Sequence, residues 1–298
     1  MERLKVIMLG SGSIVPTPDR NHAAIWIRHG QDIILWDCGE GTQLQLQKAG
    51  LSFMNIDKIF ITHWHADHFA GLIGLLETLH LEGRKKKLQI FGPEANKYYN
   101  IISNLHQGNA GFEIEVIDVD FKTPKEKVII DEKNYRIKSV PANHNIPAVA
   151  YCLEEKDRWN IDMEKVKANN LTAGPILRKI KKEGKINHKG KTIKLEDIAV
   201  LNKGRKIIYS GDTAPSLLIE KLAKNATVLI HDSTFINKSC EHHSTVKEAA
   251  QLGKRAGVEK LVLTHYSRRY KDLDILKEIA SNIYDKVELA SDLSEIYS

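Results

Sequence analysis

Four side chains of kinds that bind metal ions stand within six residues of this sequence. Residues 61–68 read ITHWHADH, which places His63, His65, Asp67 and His68 at short intervals. Imidazole nitrogens and a carboxylate together suit Zn²⁺ or a similar borderline metal ion. A single catalytic ion with an open coordination position needs fewer than four ligands from one loop, because other segments also contribute ligands. The spacing therefore favours a site for two ions.

The remaining ligands of such a site are expected just after strands, where α/β proteins usually place functional residues. Three residues meet this expectation, namely His144, Asp212 and His265. Taken singly, a histidine after a strand is more often only a hydrogen-bonded polar residue, and Gly-Asp-Thr is often only a turn. Together with residues 63–68 they complete two coordination shells. We therefore interpret all seven as candidate metal ligands.

Eleven short β-rich runs are expected to position these residues. They cover 4–9, 23–28, 32–37, 58–62, 88–91, 114–117, 136–140, 149–153, 206–210, 227–231 and 260–264. Several are almost continuous Val, Ile and Leu, which is typical of strands buried on both faces. Helical patterns at 69–81 and 245–256 lie between them, the second with a Thr start signal and Glu three residues later. This order predicts an α/β fold of packed sheets covered outside by helices.

Composition limits the class of protein. The chain has 298 residues, of which 42% are hydrophobic and 28% charged, and its mean hydropathy is −0.33. These values allow a sizeable core and exclude a disordered chain, a coiled coil and a collagen-like fibre. No run of about 18 apolar residues predicts a membrane span. Because Cys38, Cys152 and Cys240 are odd in number and far apart, and the first apolar stretch is too short for a signal peptide, we expect a cytoplasmic protein without disulfides.

One stretch carries the whole basic excess of the chain. Residues 156–194 contain 12 basic and 4 acidic residues, a net charge of +8, whereas the full chain has a net charge of +6. Glycines and a Gly-Pro pair interrupt the rhythm of strands there, so we interpret the stretch as an inserted arm. A charge run is most often a solvated surface. The alternative is an arm that binds a polyanion.

The order of these motifs resembles the metallo-β-lactamase superfamily and, within it, the ribonuclease Z family. Residues 10–13 (GSGS) and 16–21 (PTPDRN) are similar to the family's N-terminal signature, and 37–42 (DCGEGT) to its second strand-end motif. Residues 231–235 (HDSTF) resemble the motif HEATF with two replacements, and 243–245 match a His-Ser-Thr loop. The resemblance covers residues 3–296. It implies a four-layer αββα sandwich formed by a single domain, 1–298, with the flexible basic arm inserted at 156–194.

The resemblance also implies a role for each site residue. One ion would be held by His63, His65 and His144, and the other by Asp67, His68 and His265, with Asp212 bridging. The implied cofactors are two zinc ions per chain, and manganese or iron would suit the same donors. Asp67 would accept the proton of the attacking water. His243 would contact the phosphate or protonate the leaving oxygen, aided by Asp232 or a neighbour.

The basic stretch resembles the family's arm, which grips the tRNA elbow at a distance from the metal ions. Residues 171–175 (LTAGP) are similar to its Gly-Pro motif. The candidate substrate-binding residues are Gly174, Pro175, Arg178, Lys179, Lys181 and Lys182. The implied activity is endonucleolytic removal of the 3′ trailer from precursor tRNA, which leaves a 3′-hydroxyl on the tRNA. The implied assembly is a homodimer whose arm serves the partner's site.

Two other classes of function use the same residues. The first is a small-molecule hydrolase on this scaffold, acting on a phosphodiester, thioester or lactam, because a fold does not determine a function. The second is a non-catalytic RNA-binding protein with a vestigial site. The basic arm and the His-Ser-Thr loop argue against the first class, and the complete ligand set argues against the second. Cleavage of a 3′-extended tRNA and metal content would separate the three.

Overall fold

The computed structural model describes residues 4–105, 111–188, 190–237 and 241–297. The strands in these residues are β1 (Leu4–Gly10), β2 (Ala24–His29), β3 (Asp32–Trp36), β4 (Lys58–Phe60), β5 (Leu88–Gly92), β6 (Ile114–Asp118), β7 (Lys127–Asp131), β8 (Tyr135–Pro141), β9 (Val149–Glu155), β10 (Arg158–Ile161), β11 (Lys185–His188), β12 (Lys191–Lys194), β13 (Ala199–Asn202), β14 (Lys206–Tyr209), β15 (Val228–Asp232), β16 (Leu261–Thr264), β17 (Val287–Leu289) and β18 (Glu295–Tyr297). Each of the eleven predicted runs overlaps one of them.

The helices in the same residues are α1 (Thr42–Lys48), α2 (Ala66–Phe69), α3 (Gly71–Leu81), α4 (Ala95–Leu105), α5 (Met163–Ala168), α6 (Pro175–Glu183), α7 (Leu195–Ile198), α8 (Leu217–Leu222), α9 (Val246–Ala256) and α10 (Asp274–Ser281), with a single 3-10 turn at Phe53–Asn55. The predicted start signal of α9 is confirmed, because Thr245 and Glu248 form a reciprocal capping box. The predicted helix at 69–81 begins two residues later, at Gly71.

Fourteen strands form two seven-stranded sheets. The first has the order β18-β1-β2-β3-β4-β5-β6 and the second the order β17-β16-β15-β14-β9-β8-β7. Neighbours from β3 to β6 and from β14 to β17 are parallel, and the other pairs are antiparallel. Parallel strands bring their carboxyl ends to one edge of each sheet, and the loops that follow them can therefore meet.

The sheets are packed between two layers of helices. Successive side chains of β1 face opposite sides of the first sheet: Val6 and Met8 join the core shared with the second sheet, and Ile7 and Leu9 join a core covered by α1, α3 and α4. Buried residues of α8, α9 and α10 cover the second sheet. The predicted αββα order of layers is confirmed.

The basic stretch forms a small unit of its own, here called the arm. Its stem is the antiparallel pair β10–β13, in which Arg158 lies opposite Asn202 and Ile161 opposite Ala199. Helices α5, α6 and α7 and the hairpin β11–β12 enclose a hydrophobic cluster of Val166, Leu171, Ile180, Ile186, Ile193 and Ile198. The predicted end at residue 194 therefore falls inside the unit, which closes only at Asn202. The charge pattern missed β13, because this strand (AVLN) has no charged residue.

The structure bears on the predictions made from the cysteines and from hydropathy. Cys38 and Cys152 are buried free thiols, and Cys240 lies outside the described residues. Among the residues that the structure describes, none of the helices is both long enough and apolar enough to cross a membrane.

Candidate active site

The seven predicted ligands meet at one edge of the two sheets, in the loops that follow β4, β8, β14 and β16 and in the short helix α2. Three strands end there in a residue with left-handed backbone: Asp37 after β3 (φ 56°), Gly211 after β14 (φ 57°) and His265 after β16 (φ 64°). Residues other than glycine adopt this backbone conformation at an energetic cost, which the surrounding contacts must offset. At Gly211 a Cβ would also lie 2.8 Å from the side chain of Thr62. The sharp turns aim the ligands into a common space.

One group of donors consists of three imidazoles and a carboxylate. His65 Nδ1 lies 3.1 Å from His63 Nε2 and 3.1 Å from His144 Nε2. Asp212 Oδ2 lies 3.7 Å from His63 Nε2. These four residues offer ligand atoms that all lie within 4.8 Å of one another, and we call them the first cluster.

A second cluster contains Asp67, His68, His265 and the same Asp212. His265 Nε2 lies 3.3 Å from Asp67 Oδ2 and 3.3 Å from Asp212 Oδ1. His68 Nε2 lies 3.3 Å from Asp212 Oδ1 and 3.6 Å from Asp67 Oδ2. All four residues are buried. Asp212 thus presents one oxygen to each cluster, which is the arrangement that a bridging ligand requires.

Two buried atoms at the centre of the site test whether metal ions fit. His68 Nε2 and Asp212 Oδ1 face each other without hydrogen-bond geometry, and neither has another hydrogen-bond partner. Buried polar atoms are rarely left unsatisfied, because desolvation without a partner is costly. A cation between them would satisfy both. The nitrogen and carboxylate donors also match the preferences of zinc, manganese and iron, so the residues fit metal binding.

The electrostatics of the clusters favour positive charge where carboxylates meet imidazoles. Burial lowers the pKa of His63 well below its usual value, so this imidazole is neutral and able to act as a ligand. Burial acts in the same direction on His68, but Asp212, Asp37 and Asp67 outweigh it and raise the pKa of His68 well above its usual value. Asp212 is ionised, because His265 and His68 overcome the effect of burial and hold its pKa well below the usual range.

Further groups orient the imidazoles from behind, and the sequence pattern assigned them no role. His68 Nδ1 donates to Asp37 Oδ2 at 2.7 Å, and Asp37 is itself held by the backbone N–H of Thr62 at 2.7 Å. His144 Nδ1 donates to the carbonyl oxygen of His242 at 2.9 Å. Such partners fix the tautomer and direction of a metal-binding histidine. Asp37 belongs to the DCGEGT motif, so its position directly after β3 was the available signal.

Thr234 orients His265 in the same way. Its hydroxyl donates to Asp232 Oδ1 at 2.6 Å and therefore accepts from His265 Nδ1 at 2.8 Å. Asp232 is fully buried, and its other oxygen accepts from the backbone N–H of Thr213 at 3.0 Å. The HDSTF variant thus supplies a carboxylate and a hydroxyl that serve one network.

His243 belongs to this network and lies beside the two clusters. Its Nδ1 is 2.9 Å from Asp232 Oδ2 and 3.8 Å from Asp212 Oδ2. Its side chain is 20% exposed, in contrast to the buried His68 and His265. A histidine held by a buried carboxylate and open to solvent on its other side can exchange protons with a bound molecule.

The site opens into a cleft of about 440 Å³. Its lining includes five residues of the site, His65, Asp67, Asp212, His243 and His265, together with Ile14, Phe235, Arg268 and Arg269. Cationic and apolar groups around a buried anionic site are suited to a phosphate with an attached organic group.

The six arm residues that the sequence predicts as substrate-binding lie apart from the clusters. They occupy α6 and its start, with Gly174 at the N-cap and Pro175 in the first turn. All six are exposed, and the structure brings none of them to the cleft, whose lining comes from other segments. The candidate metal ligands and the predicted substrate-binding residues of the arm therefore lie in separate parts of the chain.

Comparison with known proteins gives the class first. A family model described as "Anti-Pycsar protein Apyc1" matches residues 4–164, and one described as "Beta-lactamase superfamily domain" matches residues 165–266. The metallo-β-lactamase fold protein YhfI from Bacillus subtilis has a similar fold, with a TM-score of 0.71, 17% identity and coverage of 99% of each chain. The αββα layers and the His/Asp clusters thus define a protein of the metallo-β-lactamase superfamily.

Relatives that match nearly the whole chain identify its family within this superfamily. Ribonuclease Z of Methanothermobacter thermautotrophicus is 37% identical, over 98% of this chain and 96% of the relative. Ribonuclease Z of Thermococcus gammatolerans is 42% identical, over 90% and 85%. The structure of human tRNase Z, short form, has a TM-score of 0.70 and 28% identity, with 98% of each chain covered. The chain belongs to the ribonuclease Z family.

Proposed function

We propose that this protein is the endoribonuclease that removes the 3′ trailer from precursor tRNA by hydrolysing one phosphodiester bond and leaving a 3′-hydroxyl on the tRNA. The observation that carries the proposal is the pair of His/Asp clusters joined by Asp212, with His243 beside them. The chain also matches relatives named ribonuclease Z over 90% or more of its own length. The open cleft gives an extended substrate access to both clusters.

In this proposal each chain holds two zinc ions. His63, His65 and His144 would hold one, Asp67, His68 and His265 would hold the other, and Asp212 would contribute to both sites. When bound, such ions lower the pKa of water and neutralise charge on a phosphate. The same nitrogen and oxygen donors would accept manganese or iron. Asp37 and Thr234 keep the ligand nitrogens of His68 and His265 turned towards the centre of the site.

Asp67 and His243 move the protons. The carboxylate of Asp67 lines the cleft and accepts the proton of the attacking water, as an ionised and rigidly held group can. His243 contacts the phosphate and delivers a proton to the leaving oxygen. Asp232 holds the ring of His243 by its Nδ1 atom, which directs the remaining ring nitrogen away from that carboxylate.

The arm binds the tRNA at a distance from the cleaved bond. Gly174, Pro175, Arg178, Lys179, Lys181 and Lys182 provide this surface in the proposal. Exposed cations on a small folded unit suit phosphate contacts that are independent of sequence. The arm joins the sheets where β9 ends and β14 begins, whereas Asp212 follows the other end of β14. Seven residues of β9 separate the two edges by about 20 Å, which supports a homodimer in which each arm serves the partner's site.

A cytoplasmic location remains a prediction from the number and spacing of the cysteines. The second candidate function is hydrolysis of a small phosphodiester, which the clusters alone could perform. That function would not require the arm.

Two measurements on the purified protein test the proposal together. Metal analysis should give two ions per chain, and a precursor tRNA with a 3′ trailer should be cut once, at the 3′ end of the tRNA sequence. The matched substrate is a nitrophenyl phosphodiester, which needs only the clusters. Hydrolysis of the ester with no cleavage of the precursor would replace this proposal with the small-molecule function.

A further inference from the structure

The arm is attached to the body of the protein by a buried charged junction. Glu155 ends β9 and Arg205 precedes β14, so the two residues flank the whole arm. The backbone N–H of Glu155 donates to the carbonyl oxygen of Arg205 at 2.9 Å, and the backbone N–H of Arg205 donates to Glu155 Oε2 at 3.1 Å. The two strands that enter and leave the arm are therefore joined at one carboxylate.

Both oxygens of that carboxylate are bound by cationic or imidazole groups. Arg205 donates from Nε to Oε2 at 2.7 Å and from Nη2 to Oε1 at 2.7 Å, which is the bidentate geometry of strong ion pairs. His29, at the end of β2 in the first sheet, donates from Nε2 to Oε1 at 2.9 Å. The side chains of Glu155 and His29 are 3% and 2% exposed. One carboxylate thus links the first sheet, the second sheet and both ends of the arm.

The arm has no other large contact to hold its direction among the described residues. Every residue of its hydrophobic cluster, and every residue packed against that cluster, lies between 161 and 198. At the root of the arm, the short segments 156–157 and 203–205 that connect its stem to β9 and β14, the backbone N–H of Gly204 donates to Asp157 Oδ1 at 2.8 Å. Gly204 passes so close that a Cβ there would lie 2.0 Å from the carbonyl oxygen of Glu155. The contacts that hold the arm to the sheets therefore lie where the chain enters and leaves it, at this junction and at the neighbouring Lys156, whose backbone N–H donates to the carbonyl oxygen of Asn134 at 2.9 Å.

We propose that Glu155 is a positioning residue for the long RNA substrate, because its carboxylate fixes the direction in which the arm projects from the sheets. The inference rests on the proposed role of the arm in binding precursor tRNA. A misdirected arm would no longer reach phosphates remote from the cleaved bond, and it would leave the clusters unchanged. Binding of the complete precursor would then weaken, while hydrolysis of a small ester would continue.

The test is Glu155→Gln, which keeps the shape of the side chain and removes its charge. We expect the KM for precursor tRNA to rise about tenfold, with kcat and nitrophenyl ester hydrolysis within about twofold of the unchanged protein. The matched control is Glu154→Gln, on the same strand, whose carboxylate pairs with Lys138 at 2.5 Å and does not touch the root. Hydrogen exchange should accelerate at residues 155 and 205 and not within the cluster of the arm.

Three outcomes decide the proposal. An unchanged KM in folded Glu155→Gln, or an equal rise in Glu154→Gln, overturns it. Equal loss of both activities overturns it as well, because Glu155 would then support the clusters. Should Glu155→Gln fail to fold, Arg205→Lys replaces it, since a lysine keeps the charge and loses the bidentate pair, and the same rise in KM is expected. Removal of the whole arm without effect on KM would refute the proposed role of the arm itself, which is a separate result.

Discussion

The clusters and the arm meet opposite physical requirements. The candidate ligands of the clusters lie in short loops after buried strands or in the short helix α2, and buried groups such as Asp37 and Thr234 hold two of their imidazoles from behind. The arm has six exposed candidate substrate-binding residues on a unit with its own small core. Chemistry at a phosphorus atom depends on groups fixed to a fraction of an ångström, whereas attraction to a polyanion depends on the number and sign of charges. In the proposed function, the molecule separates the two tasks along the chain.

The largest effect is expected at Asp212, which both clusters share and which the arm does not touch. Asp212→Ala should abolish cleavage of precursor tRNA and of the nitrophenyl ester alike, and it should lower metal content, because the carboxylate presents an oxygen to each cluster. Metal analysis and both assays measure the result. A variant that kept two tightly bound ions and near-normal turnover would show that Asp212 does not bridge.

His243 should separate proton transfer from metal binding within the site. We expect His243→Ala to keep its metal ions and to lose about 10²- to 10⁴-fold in kcat on precursor tRNA, the usual range for a general acid. His242→Ala is the control, since His242 meets His144 through its backbone carbonyl. Loss of metal from His243→Ala would instead make this residue a ligand.

Deletion of the arm should separate binding from chemistry. Removing residues 158–202 and joining 157 to 203 through a short Gly-Ser linker follows the observed stem, in which residues 158 and 202 are paired. We expect kcat/KM for precursor tRNA to fall by about 100-fold and ester hydrolysis to continue. The log–log salt slope of tRNA binding should flatten by about 0.7–0.9 for each phosphate that the arm no longer neutralises. Thermal melting would check that the deletion variant is folded. Unchanged cleavage of precursor tRNA would mean that the basic residues of the arm form only a solvated surface.

The smallest expected effect concerns the groups behind the ligands. Asp37→Asn keeps an acceptor for His68 and removes its charge, so metal affinity should fall about tenfold, at the low end of the usual range for such partners. Competition with a chelator measures it. Asp32→Asn, at the opposite end of the same strand, should leave the affinity unchanged. Equal affinity in both variants would show that the position of Asp37 matters more than its charge.

Much of the fold followed from local patterns. The buried runs of β-branched residues predicted eleven strands, and the Thr/Glu signal predicted the start of α9, because both depend on near neighbours in the chain. Short edge strands such as β17 and β18 gave no comparable signal, since three residues cannot show a period. The stem strand β13 was missed for a related reason: its pairing partner lies about forty residues away, and no charge marks it.

The sequence by itself determined which chemistry is available. The residue types at 63–68 and the rule that ligands follow strands were enough to name seven candidate ligands, because coordination preferences belong to the side chains and strand ends are local. Only the tertiary structure decided that Asp212 faces both clusters, that Asp37 and Thr234 stand behind two of the histidines, and that Glu155 joins both ends of the arm to both sheets. Each of these contacts joins residues distant in the chain. They exist because two sheets pack face to face, and that packing sets distances which no spacing along the sequence encodes.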